Sequence, residues 1–134
     1  MKGLPTIFLL LAMASPAAAQ VACNASGTQA ELNACAREDF EKADAELNAV
    51  YRQIVTDLSG EPVALARMKD AQRLWVKLRD ADLDARYPVG KGENPYFLYG
   101  SMFPMRYLGQ KAMLTQARTA YLRSEFLERS EGDL

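Results

Sequence analysis

The chain has 134 residues, with 16 lysines and arginines against 17 aspartates and glutamates, and no histidine. That length holds one domain, and a near-neutral balance without a basic run excludes a nucleic-acid footprint. Lacking histidine, the chain is without the commonest general base and metal ligand, which argues against an enzyme and against a resident metal or cofactor.

At the N-terminus, Lys2 precedes an apolar run from Ile7 to Ala14 that is too short to span a bilayer as a stable helix. Ser15-Pro16 breaks it, and Ala17-Ala18-Ala19 supplies the small residues that a signal peptidase reads. This pattern predicts a secretory signal over residues 1–19, cut before Gln20, with a single domain over 20–134. Two alternatives stand beside it. One is a buried N-terminal helix, and the other is a lipid anchor on Cys23, which Val21-Ala22 favours and Gln20 disfavours. Removing the signal takes Lys2 away, leaving 115 residues and a charge of about −2. No later segment is long and apolar enough for a transmembrane helix, so none is expected after processing.

Export places the two cysteines, Cys23 and Cys35, in an oxidising compartment, where they are expected to join in a disulfide. Closing that loop stabilises a fold by about 3 kcal/mol in the chain-entropy model. A metal site or a reactive thiol would need helper residues that the sequence does not offer.

Thr28 followed by Glu31 is a capping box, in which each side chain satisfies a backbone N–H at a helix start. From there Leu32, Ala36, Phe40, Ala43, Leu47, Val50, Ile54 and Leu58 recur at spacings of three and four, one apolar stripe along a long helix. Ser59-Gly60 ends it. Pro62 suits the first turn of a second helix, whose stripe runs through Leu65, Met68, Ala71, Trp75, Leu78 and as far as Ala85 before Tyr87-Pro88 stops it. Two long helices joined by so short a turn predict an antiparallel hairpin. From Tyr87 to Met105 the periodicity is lost among prolines and glycines, yet this long loop carries Tyr87, Tyr96, Phe97, Tyr99 and Phe103. A third helix is expected from about Met105, with Tyr107, Leu114, Ala117, Tyr121 and Leu122 inward. The fold class is all-α: a hairpin plus a third helix, with one irregular loop and an N-terminal disulfide.

Few motifs carry chemistry. Gly90-Lys91-Gly92 lacks the preceding strand and the spacing of a phosphate loop and reads as a turn. Asp80, Asp82 and Asp84 are spread around a helix and do not converge on a metal. Glu38, Glu41 and Asp44 read as a solvated face.

Three stretches carry a family resemblance: Leu32-Asn33-Ala34-Cys35 with Ala43 to Tyr51, the run Ala71 to Ala81, and Gly100-Ser101-Met102. In order and spacing they resemble the lysozyme inhibitor LprI-like N-terminal domain family, over nearly all of residues 23–123. The resemblance implies an exported helical domain, periplasmic or surface-anchored, and for one branch of the family lysozyme inhibition. The sequence departs from the family where relatives tend to carry a second cysteine pair: Leu83 and Gln110 stand in that neighbourhood. Any activity needing a tightly tied loop is thereby put in doubt.

Folding the hairpin about Gly60 sets level those residues whose numbers sum to about 120. That register predicts a polar seam between the first two helices, with Asp44 pairing Arg79 and Asn48 bonded to Gln72, and with Trp75 as a core anchor whose indole N–H finds a partner. For a partner-binding element the loop is the candidate, with Lys91, Tyr96, Phe97, Tyr99 and Ser101 as its contact residues; the bland alternative has the rings capping the hairpin's open end as core. The expected activity is binding of lysozyme or another envelope protein. The alternatives are a structural scaffold and a peptidoglycan-binding module whose tyrosines stack on sugars. Periplasmic location is expected, with lipid anchoring or release outside the cell as alternatives.

Overall fold

In the computed structural model, which describes residues 21–129, the first helix α1 spans Gln29–Asp57 and begins at the capping box. The Thr28 N–H donates to the Glu31 carboxylate at 2.7 Å, and Glu31 N–H donates back to Thr28 Oγ1 at 3.4 Å. The bond from the Thr28 backbone N–H, followed by one from the Thr28 hydroxyl at 2.8 Å, holds the Glu31 carboxyl below its ordinary range. Residues 1–20, and with them the expected signal peptide and its cleavage site, lie outside the described residues, as do residues 130–134.

A single 3₁₀ turn, Leu58–Gly60, reverses the chain into α2, Pro62–Arg86, with Pro62 in its first turn. The loop that follows contains a one-turn helix, α3 (Pro95–Tyr99), and α4 spans Phe103–Phe126. Among the described residues there is no strand.

Two sets of contacts fix how the helices run. Gln29 Nε2 meets Met105 Sδ and Glu46 pairs with Arg123, offsets of 76 and 77 residues, so α1 and α4 are parallel. Gln72 is bonded by Arg118 and Arg79 by Thr115, so α2 runs against α4. The Arg79 guanidinium also lies 5.9 Å from the Phe40 ring, which places α2 antiparallel to α1 in the register that a fold about Gly60 predicts.

The most extensive helix contact is α1 with α4 rather than α1 with α2. Small residues account for it. At an offset of 76, Ala36 and Ala43 stand level with Ala112 and Thr119, all four buried, and short side chains let two backbones approach closely. Thr119 and Thr115 satisfy their buried hydroxyls by donating to the carbonyls of Thr115 and Lys111. The main apolar core lies at the turn end: Leu47, Val50, Ile54, Met68 and Leu122, with Tyr51, Leu58, Trp75 and Leu127 against it.

The α1 stripe is buried or half-buried along its whole length, as its periodicity predicts. The other two stripes need correction. On α2 the inward residues are Met68, Gln72, Trp75, Arg79 and Leu83, while Ala71, Leu78 and Ala85 are exposed. On α4 Ala112, Thr115, Thr119 and Leu122 face in, and Ala117 and Tyr121 face out. In both helices part of the inward face is polar, so apolar periodicity alone points about a third of a turn away from it.

Candidate functional site

The loop end of the bundle is built around four rings. Tyr87, at the end of α2, meets Tyr99 edge-on at 5.7 Å and Phe103 edge-on at 5.9 Å. Phe103 stacks on Tyr99 at 5.6 Å and touches Tyr107 at 5.5 Å. Such pairs each contribute about 0.5–1.5 kcal/mol beyond the area they bury. Two hydrogen bonds close the loop on itself: Tyr99 Oη donates to the Pro88 carbonyl at 2.9 Å, and the Gly90 N–H donates to the Glu93 carboxylate at 2.6 Å. A third ties it to α1, where Asn33 Nδ2 donates to the Ser101 carbonyl at 3.0 Å.

Asn33 is two residues from Cys35, whose disulfide to Cys23 forms as expected, with the Cα atoms 4.5 Å apart. Covalent pin and loop anchor therefore share one end of the molecule. The rings and the Asn33 bond hold the loop without a second disulfide, and Leu83 fills the interior beneath them, fully buried.

α3 exists because Asn94 caps it: its side-chain oxygen accepts from Tyr96 N–H at 2.9 Å, and Pro95 follows at the first helical position. It ends at Gly100, whose φ of +72° suits a residue without Cβ. The sequence reading passes over this turn of helix, although Asn-Pro followed at a distance by Gly is its signature. Its consequence is to divide the expected contact residues. Tyr99 turns into the ring cluster, Tyr96 is half out and touches Phe103 at 6.3 Å, and Phe97 projects with 90% of its surface exposed. Lys91 sits exposed in a separate turn, and Ser101 contributes its carbonyl to anchoring. Of the loop rings, Tyr99 is thus packed inward and Phe97 lies on the surface.

Beside the rings lies a cleft of about 740 Å³, walled by Tyr87, Pro88, Pro95, Phe103 and Tyr107 and edged by the carboxylates of Asp84 and Glu93. Burial, then the charges of Asp84 and Asp80, raise the Tyr107 hydroxyl above its ordinary range, against the opposing pull of Arg79. That hydroxyl stays protonated at neutral pH and is available as a donor.

The expected seam of Asp44, Asn48, Gln72 and Arg79 is arranged differently. Asp44 accepts from Asn48 along α1 at 3.0 Å rather than pairing with Arg79. Arg79, only 7% exposed, instead donates to Asp80 at 2.9 Å and to Thr115 at 3.5 Å, and its guanidinium lies 5.1 Å from the Trp75 ring. Gln72 accepts from Arg118 Nε at 3.1 Å, and the Arg118 guanidinium also lies over the Trp75 ring at 5.7 Å. Lys111 completes the belt, 3.5 Å from Asp80 and 5.1 Å from the Phe40 ring. The polar seam therefore joins α2 to α4. A register drawn from two helices leaves out the third, whose Lys111, Thr115 and Arg118 reach these partners first. Trp75, half-buried, packs against the apolar cluster, and its ring meets the guanidinium groups of Arg79 and Arg118. Burial pushes the Asp80 carboxyl up; the hydrogen bond and charge of Arg79, followed by those of Lys111, outweigh that and hold it below its ordinary range. Burial also lowers Arg118, partly countered by Tyr121.

No groups of three or more acidic, cysteine or histidine residues converge to hold a metal among the described residues. Nor, among them, is any helix long and apolar enough to cross a membrane. What the fold and its loop end define is a small disulfide-pinned helical domain that displays one rigidly braced surface. The chain belongs to the lysozyme inhibitor LprI family, whose family model matches residues 21–122. It is similar to a protein of Rhizobium meliloti (strain 1021) described as "Uncharacterized protein R02472", with 36% identity over 141 aligned positions that cover 95% of this chain and 96% of that one. No solved structure matches it.

Proposed function

We propose that this is an exported envelope protein that inhibits lysozyme by binding it, with the α3 end of the bundle as the contact surface. Family membership supplies the class of partner. The observation that carries the choice of surface is Phe97: a large ring 90% exposed on a helical turn that a cap, a ring cluster and three hydrogen bonds hold still. A preorganised aromatic anchor loses little conformational freedom on binding, and such residues dominate interface energies. Tyr96 and Lys91 flank it, the latter as a cation for the carboxyl groups of a glycan-cleaving cleft. A net charge of about −2 gives mild attraction to a basic lysozyme, of secondary weight. Export is supported by family membership and by the N-terminal pattern, and the disulfide fits an oxidising compartment. The same disulfide occupies the sulfur that a lipid anchor on Cys23 would need, which favours a free periplasmic protein.

The test is lysis. Purified protein at micromolar concentration should slow cell-wall clearing by at least one type of lysozyme, and Phe97→Ala should weaken that inhibition about tenfold or more while leaving the melting temperature in place. If no lysozyme type is inhibited, the scaffold reading replaces this one. The tyrosine-walled cleft favours a second reading, peptidoglycan binding, in which sugars stack on Tyr87 and Tyr107. Retention on insoluble peptidoglycan without inhibition would select it.

A further inference from the structure

Three of the loop-end rings wall an open space of about 740 Å³, a volume in the range of ligand-binding clefts. The planes of Tyr87, Phe103 and Tyr107 are inclined to one another at 84°, 52° and 44°, so the rings make a corner rather than a flat stack. Pro95, the first residue of α3, continues that wall.

The charges on this lining are of one sign. Asp84 and Glu93 border the space, and among the described residues no lysine or arginine does. Neither carboxylate has an ion-pair partner within the chain among those residues. Glu93 accepts the Gly90 N–H at 2.6 Å, a bond that holds its carboxylate in place without neutralising it. After burial, the charge of Asp84 is the largest influence raising the Tyr107 hydroxyl, ahead of Asp80, so its field is felt at the aromatic wall. Two cations stand nearby: the Arg86 guanidinium lies 5.8 Å from the Tyr87 ring, and Lys91 follows Gly90 in the turn, but neither lines the cleft.

Rings beside a carboxylate are what this chain itself uses to hold a cation. The Arg79 guanidinium lies 5.9 Å from the Phe40 ring and 5.1 Å from that of Trp75 while Arg79 donates to Asp80 at 2.9 Å. A guanidinium is planar, so it can lie against a ring while its N–H groups reach a carboxylate, and the attraction strengthens as water is excluded. The loop-end cleft offers the same chemical set at the surface.

We propose that this cleft receives a basic side chain of the partner protein, arginine in preference to lysine, with its charge met by Asp84 and Glu93 and its apolar stem along Tyr87, Phe103 and Tyr107. The proposal rests on the reading of the α3 end as the contact surface: Pro95 lines the cleft and Phe97, two residues on, projects from the same helical turn, so one partner covers both. The space exceeds one side chain, which fits a residue carried with its neighbours on a projecting loop. A neutral sugar would use the rings but leave both carboxylates without a charge to meet. The polarity is the reverse of the one Lys91 offers, since here this chain supplies the carboxylates and the partner the cation.

Titration of the purified protein, disulfide intact, with N-acetyl-arginine amide, followed by nuclear magnetic resonance, tests the site apart from lysozyme. Resonances of Tyr87, Gly90, Glu93 and Tyr107 should shift and saturate at millimolar ligand, and N-acetyl-citrulline amide, similar in shape but uncharged, should bind about tenfold more weakly. Asp84→Asn and Glu93→Gln, the latter keeping an oxygen for the Gly90 N–H, should each weaken arginine binding about threefold and together about tenfold, with helicity unchanged. In the lysis assay the double variant should inhibit about tenfold less than the wild type. Equal affinity for the citrulline amide, shifts centred away from the cleft, or arginine binding indifferent to both substitutions would each overturn the proposal, as would chitotriose binding there more tightly than the arginine amide. Cation binding by a protein that inhibits no lysozyme would support the cleft and sink the lysozyme reading; inhibition undiminished in the double variant would do the reverse.

Discussion

The middle of the bundle and its loop end are both built with aromatic rings, but the rings do different work. In the middle, Phe40 and Trp75 offer their faces to Arg79, Lys111 and Arg118, so that cations from two helices are held between rings and a carboxylate. At the loop end, Tyr87, Tyr99, Phe103 and Tyr107 pack mainly on one another, with the exposed Arg86 guanidinium 5.8 Å from the Tyr87 ring at the margin. A cation between rings is directional and sets register between helices whose α2–α4 contact is otherwise slight. Rings packed on rings brace a segment without register, which suits the irregular loop that carries Phe97.

The largest effect expected follows from that difference. Arg79→Ala removes a buried guanidinium, its bonds to Asp80 and Thr115 and its ring contacts, and should cost about 3 kcal/mol in denaturant unfolding. Arg79→Met, which keeps much of the volume, should recover part of it. A cost under about 1 kcal/mol for Arg79→Ala would mean the belt is ornamental to stability and that apolar packing sets the register. Next in size is Cys35→Ala. Loss of the 12-residue closure should cost about 2–3 kcal/mol. Because Asn33 lies in the same turn of α1, amide exchange in the loop near Ser101 should accelerate more than exchange around Ile54. Equal acceleration at both ends would show that disulfide and loop are not coupled.

How much of this was legible in the sequence depends on which contacts are local. The capping box at Thr28, Pro62 at the start of α2 and the stop at Tyr87-Pro88 are decided by neighbours in the chain, and they stand where expected. The α1 stripe is equally plain because its inward face is wholly apolar. α2 and α4 bury Arg79, Gln72, Thr115 and Thr119, and a pattern search for apolar residues turns toward Leu78 and Tyr121 instead. The ridge Lys111, Thr115, Arg118, at spacings of four and three, was a signal for the belt, but its partners lie 31 to 71 residues away and only the folded chain pairs them.

A smaller effect separates the belt from the loop by pH. The folded-state pKa of Asp80 is lowered, chiefly by Arg79 against the cost of burial, so the stabilisation it gives is complete above the ordinary carboxylate range. It is lost as pH falls below about 4 and through the lowered value. With 43% of the side chain in water, screening holds the contribution to under about 1 kcal/mol. Asp80→Asn should therefore lower stability at pH 6 and converge on the wild type near pH 2, read as melting temperature across that range. Parallel curves at all pH values would take the ion pair out of the account and leave the ring contacts of Arg79 to carry the belt.

The smallest effect on stability is expected at Phe97, and it is the sharpest test of the division of labour at the loop end. A ring 90% exposed in the folded chain is about as exposed as in the unfolded one, so Phe97→Ala should shift stability by no more than about 0.5 kcal/mol. Tyr99, two residues on, turns inward, stacks on Phe103 and bonds Pro88, and Tyr99→Ala should cost about 2 kcal/mol and loosen the loop. If Phe97→Ala proves as costly as Tyr99→Ala, the outward ring is part of the brace, and the surface on which partner binding has been placed must be sought elsewhere on the chain. If the two separate as expected, Phe97 is dispensable to the fold while Tyr99 is part of its brace, and the proposed contact role of the outward ring is left for the lysis measurement to decide.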